Sequence, residues 1–188
     1  ADAGLLGPAR AANEAVLSDR LAPKGRRHYA WRGLGMIAAE QGDSGLAARV
    51  YPPLLEAGFP TPVTNRRVLG LVAKTMGRDD LARTHFEDNL LFCRKAGFKP
   101  ELAWTCHDYA GMLLSKGGPL DAPEAAKVKV LLDEGEPLAT QFGMKPLAAM
   151  LAALREKLIA RRGGRTDYPD GLTERDGGVG GVGLSEAA

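Results

Sequence analysis

The chain has 188 residues, of which 45% are hydrophobic and 26% charged, enough for one domain with a buried core. A net charge of +2 offers no polyanion-binding arm, and two cysteines exclude a disulfide-dense secreted scaffold. The longest apolar runs fall short of the roughly 20 residues of a membrane span, so the expected setting is a reducing cytoplasm, with neither a membrane nor a nucleic-acid partner.

Apolar residues recur at helical spacing over Pro8–Leu21, Arg26–Glu40, Ser44–Leu55, Asn65–Met76, Asp79–Lys95, Glu101–Leu114, Pro123–Phe142 and Pro146–Ala160. The pattern predicts an all-α chain of about eight helices. Glycine marks most of the gaps, at Gly42, Gly58, Gly77, Gly97, Gly117-Gly118 and Gly143. Glycine past a helix end takes the left-handed conformation cheaply, so these glycines read as punctuation and not as phosphate loops. Neither a GxGxxG after a strand nor a GxxxxGK[ST] occurs, and no nucleotide cofactor is expected. Pro52-Pro53 and Pro137 fall inside helical patterns, where a kink or interruption is expected.

Superposing Gly42 on Gly77 brings Leu34-Gly35 onto Leu69-Gly70, Leu46-Ala47 onto Leu81-Ala82, and Tyr51 onto Phe86, a period of 35 residues. Each unit reads helix with Leu-Gly, turn with Gly, helix with Ala-x-x-x-aromatic. This resembles the tetratricopeptide repeat, a helix-turn-helix unit of about 34 residues with the same small and large positions. Trp31 and Trp104 fall where that repeat carries its tryptophan, although His107-Asp108 stands in the Leu-Gly place of the third unit. The resemblance implies an antiparallel helix-hairpin stack over 5–161, with small Gly35, Gly70, Ala47 and Ala82 allowing close helix approach within each hairpin.

At the level of phrases, His85–Leu90, Cys93–Gly97 and Pro100–Thr105 are similar to the helical-repeat regions of large bacterial multidomain ATPase regulators and cyclase-associated signalling proteins. Tyr168–Arg175 resembles the opening of a LuxR-type helix-turn-helix. The chain then departs from that pattern into Asp176-Gly177-Gly178-Val179-Gly180-Gly181, and no recognition helix follows. DNA binding is therefore not carried over, and 162–188 is expected to be a flexible tail. A truncated or frame-altered reading of a longer regulator gene would explain both the tail and the start at Ala1.

Chemistry-bearing residues are sparse. His28, His85 and His107 form no HxxxH pair; Cys93, Cys106, His107 and His85 on consecutive helices read better as buried thiols beside a partly solvated histidine than as a metal site, and none is expected. Ser18, Ser44 and Ser115 lie at helix boundaries, where a hydroxyl caps backbone. Glu87, Glu101 and Asp108, with His107 as helper, could converge in one groove as an acid-base site, which keeps a small glycosidase- or esterase-like hydrolase open as the alternative function.

The leading expectation is binding. In tetratricopeptide stacks the first helix of each hairpin lines the concave face. The alignment of Trp31, Arg66 and Trp104 places Tyr29, Arg32, Met36, Arg67, Leu71, Lys74, Thr105, Tyr109 and Met112 there. Arg32, Arg67 and Lys74 would make the groove basic, suited to a peptide or protein partner carrying carboxylates. Self-association to a homodimer is a further expectation, because the ends of a short stack lack neighbours.

Overall fold

A computed structural model describes residues 3–56, 65–115 and 120–163. The tail expected over 162–188 lies outside the described residues except for its first two, which end the last helix. Among the described residues the secondary structure is helical throughout: α1 (Ala3–Ser18), α2 (Lys24–Gln41), α3 (Ser44–Glu56), α4 (Arg66–Thr75), α5 (Asp79–Ala96), α6 (Lys99–Ser115), α7 (Ala122–Gln141) and α8 (Lys145–Gly163).

One connector is used four times. Gly42, Gly77, Gly97 and Gly143 all have φ between 64° and 73°, a region that a side chain would strain. The residue after each glycine donates its N–H back into the helix just ended: Asp43 to Ala38 O, Arg78 to Ala73 O, Phe98 to Cys93 O and Met144 to Ala139 O, at 2.8–3.0 Å. The carbonyls of those same four residues accept the first hydrogen bond of the next helix, from Ala47, Ala82, Leu102 and Ala148. One residue thus closes one helix and opens another, and so short a link makes successive helices antiparallel. At α3 the Asp43 side chain adds a cap, its Oδ1 accepting from Leu46 N at 2.9 Å.

The helices pack in a row, α1 against α2, then the hairpins α2–α3, α4–α5 and α6–α7 in turn, with α8 closing the row against α6 and α7. Alternate helices form two layers. Within the layer α2, α4, α6 and α8, backbones approach one another; in the layer α1, α3, α5 and α7, among the described residues, neighbours meet only through side chains. The first layer is accordingly the inner, concave one.

Three glycines make room for apolar neighbours, and a fourth, Gly33, lies against the Asn13 side chain of α1. A Cβ on Gly35 would lie 2.8 Å from Val68 of the next hairpin, and one on Gly70 would lie 2.8 Å from the Phe86 ring of its own hairpin. The Gly35 position also meets Leu54 of its own hairpin, at 3.2 Å, so both glycines serve the close packing expected within a hairpin and Gly35 admits the next hairpin as well. In the third hairpin Asp108 occupies the equivalent place, and the small residue is Gly135 of α7, which admits the Cβ of Cys106. The core divides accordingly. Leu34, Ile37, Val50, Leu54, Val68 and Val72 form a cluster of α2, α3 and α4, whereas Phe86, Leu90, Leu113, Leu131 and Leu151 belong to a larger cluster of α5 to α8.

The internal prolines do not interrupt their helices: α3 runs through Pro52-Pro53 and α7 through Pro137. Pro52 and Pro137 are exposed, so the carbonyl each leaves unpaired faces water and the apolar side of the helix stays packed.

Gly70→Ala tests the packing. Alanine favours a helix by about 1 kcal/mol over glycine. Here, however, Cβ meets a fully buried ring. Urea denaturation is expected to show a net loss of about 1–3 kcal/mol.

Candidate functional site

The inner layer holds a buried charge cluster between α4 and α6. Arg67 donates from Nε to Glu101 Oε1 at 3.0 Å and from Nη1 to Asp108 Oδ2 at 2.6 Å. Its guanidinium carbon stands 5.6 Å from the Trp104 ring centroid. His107 Nδ1 donates to the other Asp108 oxygen at 2.8 Å, and its ring meets Trp104 edge-on. Glu101, Trp104 and Asp108 are three and four residues apart on α6, hence on one face, aimed at one side chain of α4. Burial alone would lower the Arg67 pKa, but Asp108 and Glu101 outweigh it and the guanidinium is held charged more firmly than usual. Arg32 of α2 borders the cluster: burial lowers its pKa, the Glu101 carboxylate pulls the other way, and Arg67 repels it.

Of the residues singled out as candidate acids, the structure brings Glu101, Asp108 and His107 together and leaves Glu87 apart. Glu87 is on α5 in the outer layer, 2.7 Å from Lys127 Nζ. Glu101 and Asp108 converge on a guanidinium, not on an open space between them.

The groove residues divide too. Tyr29 and Met36 of α2 are exposed, at 59% and 38%, with half-buried Arg32 between them. Leu71 and Lys74 follow Arg67 on the same side of α4, and Lys74 has no ion-pair partner among the described residues. Thr105, Tyr109 and Met112, placed on the concave face by the alignment, are buried. Tyr109 stacks on Phe86 at 5.4 Å, and Lys127 lies over its ring. Burial raises the phenol to about 12, with Glu87 adding to the rise. The face that α6 turns to the groove is Glu101, Trp104 and Asp108, one step around the helix. Arg67 is consumed by two carboxylates, so the groove is less basic than the sequence count implied.

The remaining polar groups are structural. Asn89 donates to Thr105 Oγ1 at 2.7 Å in the core. The Cys106 thiol, 3.8 Å from Glu134, is pushed up to about 12 by burial, and burial pushes Cys93 up to about 11. Neither is a ready nucleophile. Among the described residues no three His, Cys, Asp or Glu side chains are grouped to hold a metal ion. Ser18 and Ser115 bond to the carbonyls of Glu14 and Met112. A shallow recess between α7 and α8, lined by Asp133, Glu136, Pro137, Thr140, Gln141 and Arg155, is crossed by the Arg155 ion pairs to both acids.

Comparison with protein-family models, curated proteins and solved structures finds no match.

Breaking the cluster has a large expected cost. Arg67→Ala leaves two largely buried carboxylates facing each other, and chemical denaturation should show a loss of about 3–5 kcal/mol. The triple change Arg67→Met, Glu101→Leu and Asp108→Leu removes the three mutually paired charges together and is expected to recover most of it.

Two histidines give the fold a pH dependence. His28 faces Asn65 of the next hairpin, and His85 shares a 2.8 Å hydrogen bond with the Tyr51 hydroxyl. Burial lowers both pKa values below the ordinary 6.5; Arg32 adds to the effect at His28 and Arg66 at His85, against a pull upward from Asn65 and Asp88 respectively. The unfolded chain takes up these protons first, so the histidine contribution is fully present above pH 6.5 and is lost as pH falls below it. Urea midpoints measured on either side of that pH should differ less in His28→Gln/His85→Gln than in the parent.

Proposed function

We propose that the chain is a helical-repeat interaction module, of the tetratricopeptide kind its sequence resembles, that holds a peptide on its concave face. The carrying observation is the α2 stripe: Tyr29 and Met36 stand exposed on either side of Arg32, on a helix whose other side is buried against α3 and α4. An exposed aromatic and a thioether beside a partly desolvated guanidinium form a surface that gains by being covered. Lys74 on the neighbouring helix supplies a second cation, so the fitting partner is an extended or helical peptide with apolar residues and a carboxylate. The phrase-level likeness to bacterial multidomain regulators supports placing the module within a signalling or transcriptional regulator, where its partner is a peptide segment or another domain.

Fluorescence polarisation with a labelled decapeptide of glutamate and leucine tests this reading. Tyr29→Ala and Lys74→Ala should each weaken binding about tenfold, on the scale of a single interface anchor. Val130→Ala, on the outer layer, should leave it unchanged. Equal loss from the outer variant would sink the proposal. So would turnover of a chromogenic ester or glycoside that disappears in folded Asp108→Asn, which would favour the hydrolase.

A further inference from the structure

The antiparallel order puts every turn from an outer helix to an inner one on the same edge of the stack. That edge holds the C-termini of α1, α3, α5 and α7 and the N-termini of α2, α4, α6 and α8. The first residues of those inner helices are Lys24, Arg66, Lys99 and Lys145, all four cationic. A helix N-terminus carries a partial positive charge and favours Asp or Glu, so four cations there run against local preference. On the opposite edge the rule is obeyed: α5 opens on Asp79-Asp80, and α7 on Asp121 and Glu124. A charge pattern that opposes helix stability on one edge alone points to a role outside the fold.

Other exposed groups reinforce the edge. Arg20, Arg26 and Lys95 are exposed there, whereas the acids on it are Asp19 and Glu56, with Glu101 turned inward to Arg67. Lys24, Lys99 and Lys145 have no ion-pair partner among the described residues. Apolar side chains project between the cations: Leu21 in the α1–α2 turn is 91% exposed, Leu55 at the end of α3 56%, and Phe142 in the α7–α8 turn 45%. The α1–α2 turn is held in shape by Arg27 Nη1, which donates to the carbonyls of Leu17 and Asp19, and by the Asp19 carboxylate, which accepts from Leu21 N. The net charge of +2 does not show this local excess of cations at the inner-helix N-termini.

We propose that this edge docks on an anionic lipid surface, its lysines and arginines against headgroup phosphates and carboxylates and Leu21, Leu55 and Phe142 at the acyl boundary. Cations interleaved with protruding leucine and phenylalanine match the two-part chemistry of a bilayer interface, whereas a nucleic-acid backbone rewards the charge and not the leucines. No helix among the described residues is long and apolar enough to cross a membrane, so the contact is peripheral.

Vesicle co-sedimentation decides it, with phosphatidylcholine alone and with about 30% phosphatidylserine added as an anionic lipid. The chain should pellet with the anionic vesicles only, and less as salt rises. Each exposed cation near such a surface contributes about fivefold, so Lys24→Gln/Lys99→Gln/Lys145→Gln should weaken binding about a hundredfold. Leu21→Ser should weaken it while leaving the salt dependence intact. Circular dichroism checks that the variants keep their helices. Equal binding to neutral vesicles, no binding to either, or full binding by the folded triple variant would overturn the proposal. Binding to a short DNA duplex with no vesicle binding would overturn it in favour of nucleic acid.

Discussion

The short glycine connector at Gly42, Gly77, Gly97 and Gly143 is the constraint on which most of the geometry depends. Because the residue after each glycine both ends one helix and starts the next, the chain has no slack to cross over or to run two neighbours parallel. Reversal at each turn sorts the helices into two layers, puts Arg67 opposite α6, and brings like helix ends to a common edge. Four backbone hydrogen bonds and four positive φ angles thus fix four of the seven helix reversals.

Along the stack, apolar and polar contacts divide the work. The core separates into an α2–α4 cluster and a larger one mainly of α5–α8, with Tyr51 and Met76 packed against both, and two polar links add to the join. Arg67 carries α4 onto α6 with permanent charges, and Tyr51 with His85 carries α3 onto α5 with neutral groups. The outer helices α5 and α7 are tied by Glu87 to Lys127, Arg94 to Glu134 and Arg83 to Glu124. Such pairs add orientation more than energy, since exposed ion pairs contribute about 0–1 kcal/mol each. The Arg67 cluster differs because it is buried: removing one member leaves the others stranded.

Helix positions were legible in the sequence because they depend on local signals. Asp79–Lys95 became α5, Asp79–Ala96, and Ser44–Leu55 became α3, Ser44–Glu56, each ended by a glycine or opened by an acid that any reader can find. Which face each helix turns inward was less legible. Aligning Trp104 with Trp31 put Thr105 and Tyr109 in the groove, yet α6 is packed by α5, α7 and α8 together, and those neighbours claim that face for the core. A single tryptophan cannot set the rotation of a helix buried on three sides. The charge cluster was half legible: Arg67, Glu101, Asp108 and His107 were all singled out, but as separate groove and acid candidates. Their 34- and 41-residue separations show the pairing only once the hairpins are stacked.

Those separations have a consequence for how the protein is made. Tyr51 to His85, Arg67 to Glu101 and Asp108, Arg83 to Glu124, Glu87 to Lys127 and Arg94 to Glu134, which join successive hairpins, each span 34 to 41 residues along the chain. A nascent chain therefore has the partner it needs for each layer as soon as the following hairpin leaves the ribosome. Folding can advance behind synthesis from the amino end, with α4 waiting only for α6 to satisfy Arg67.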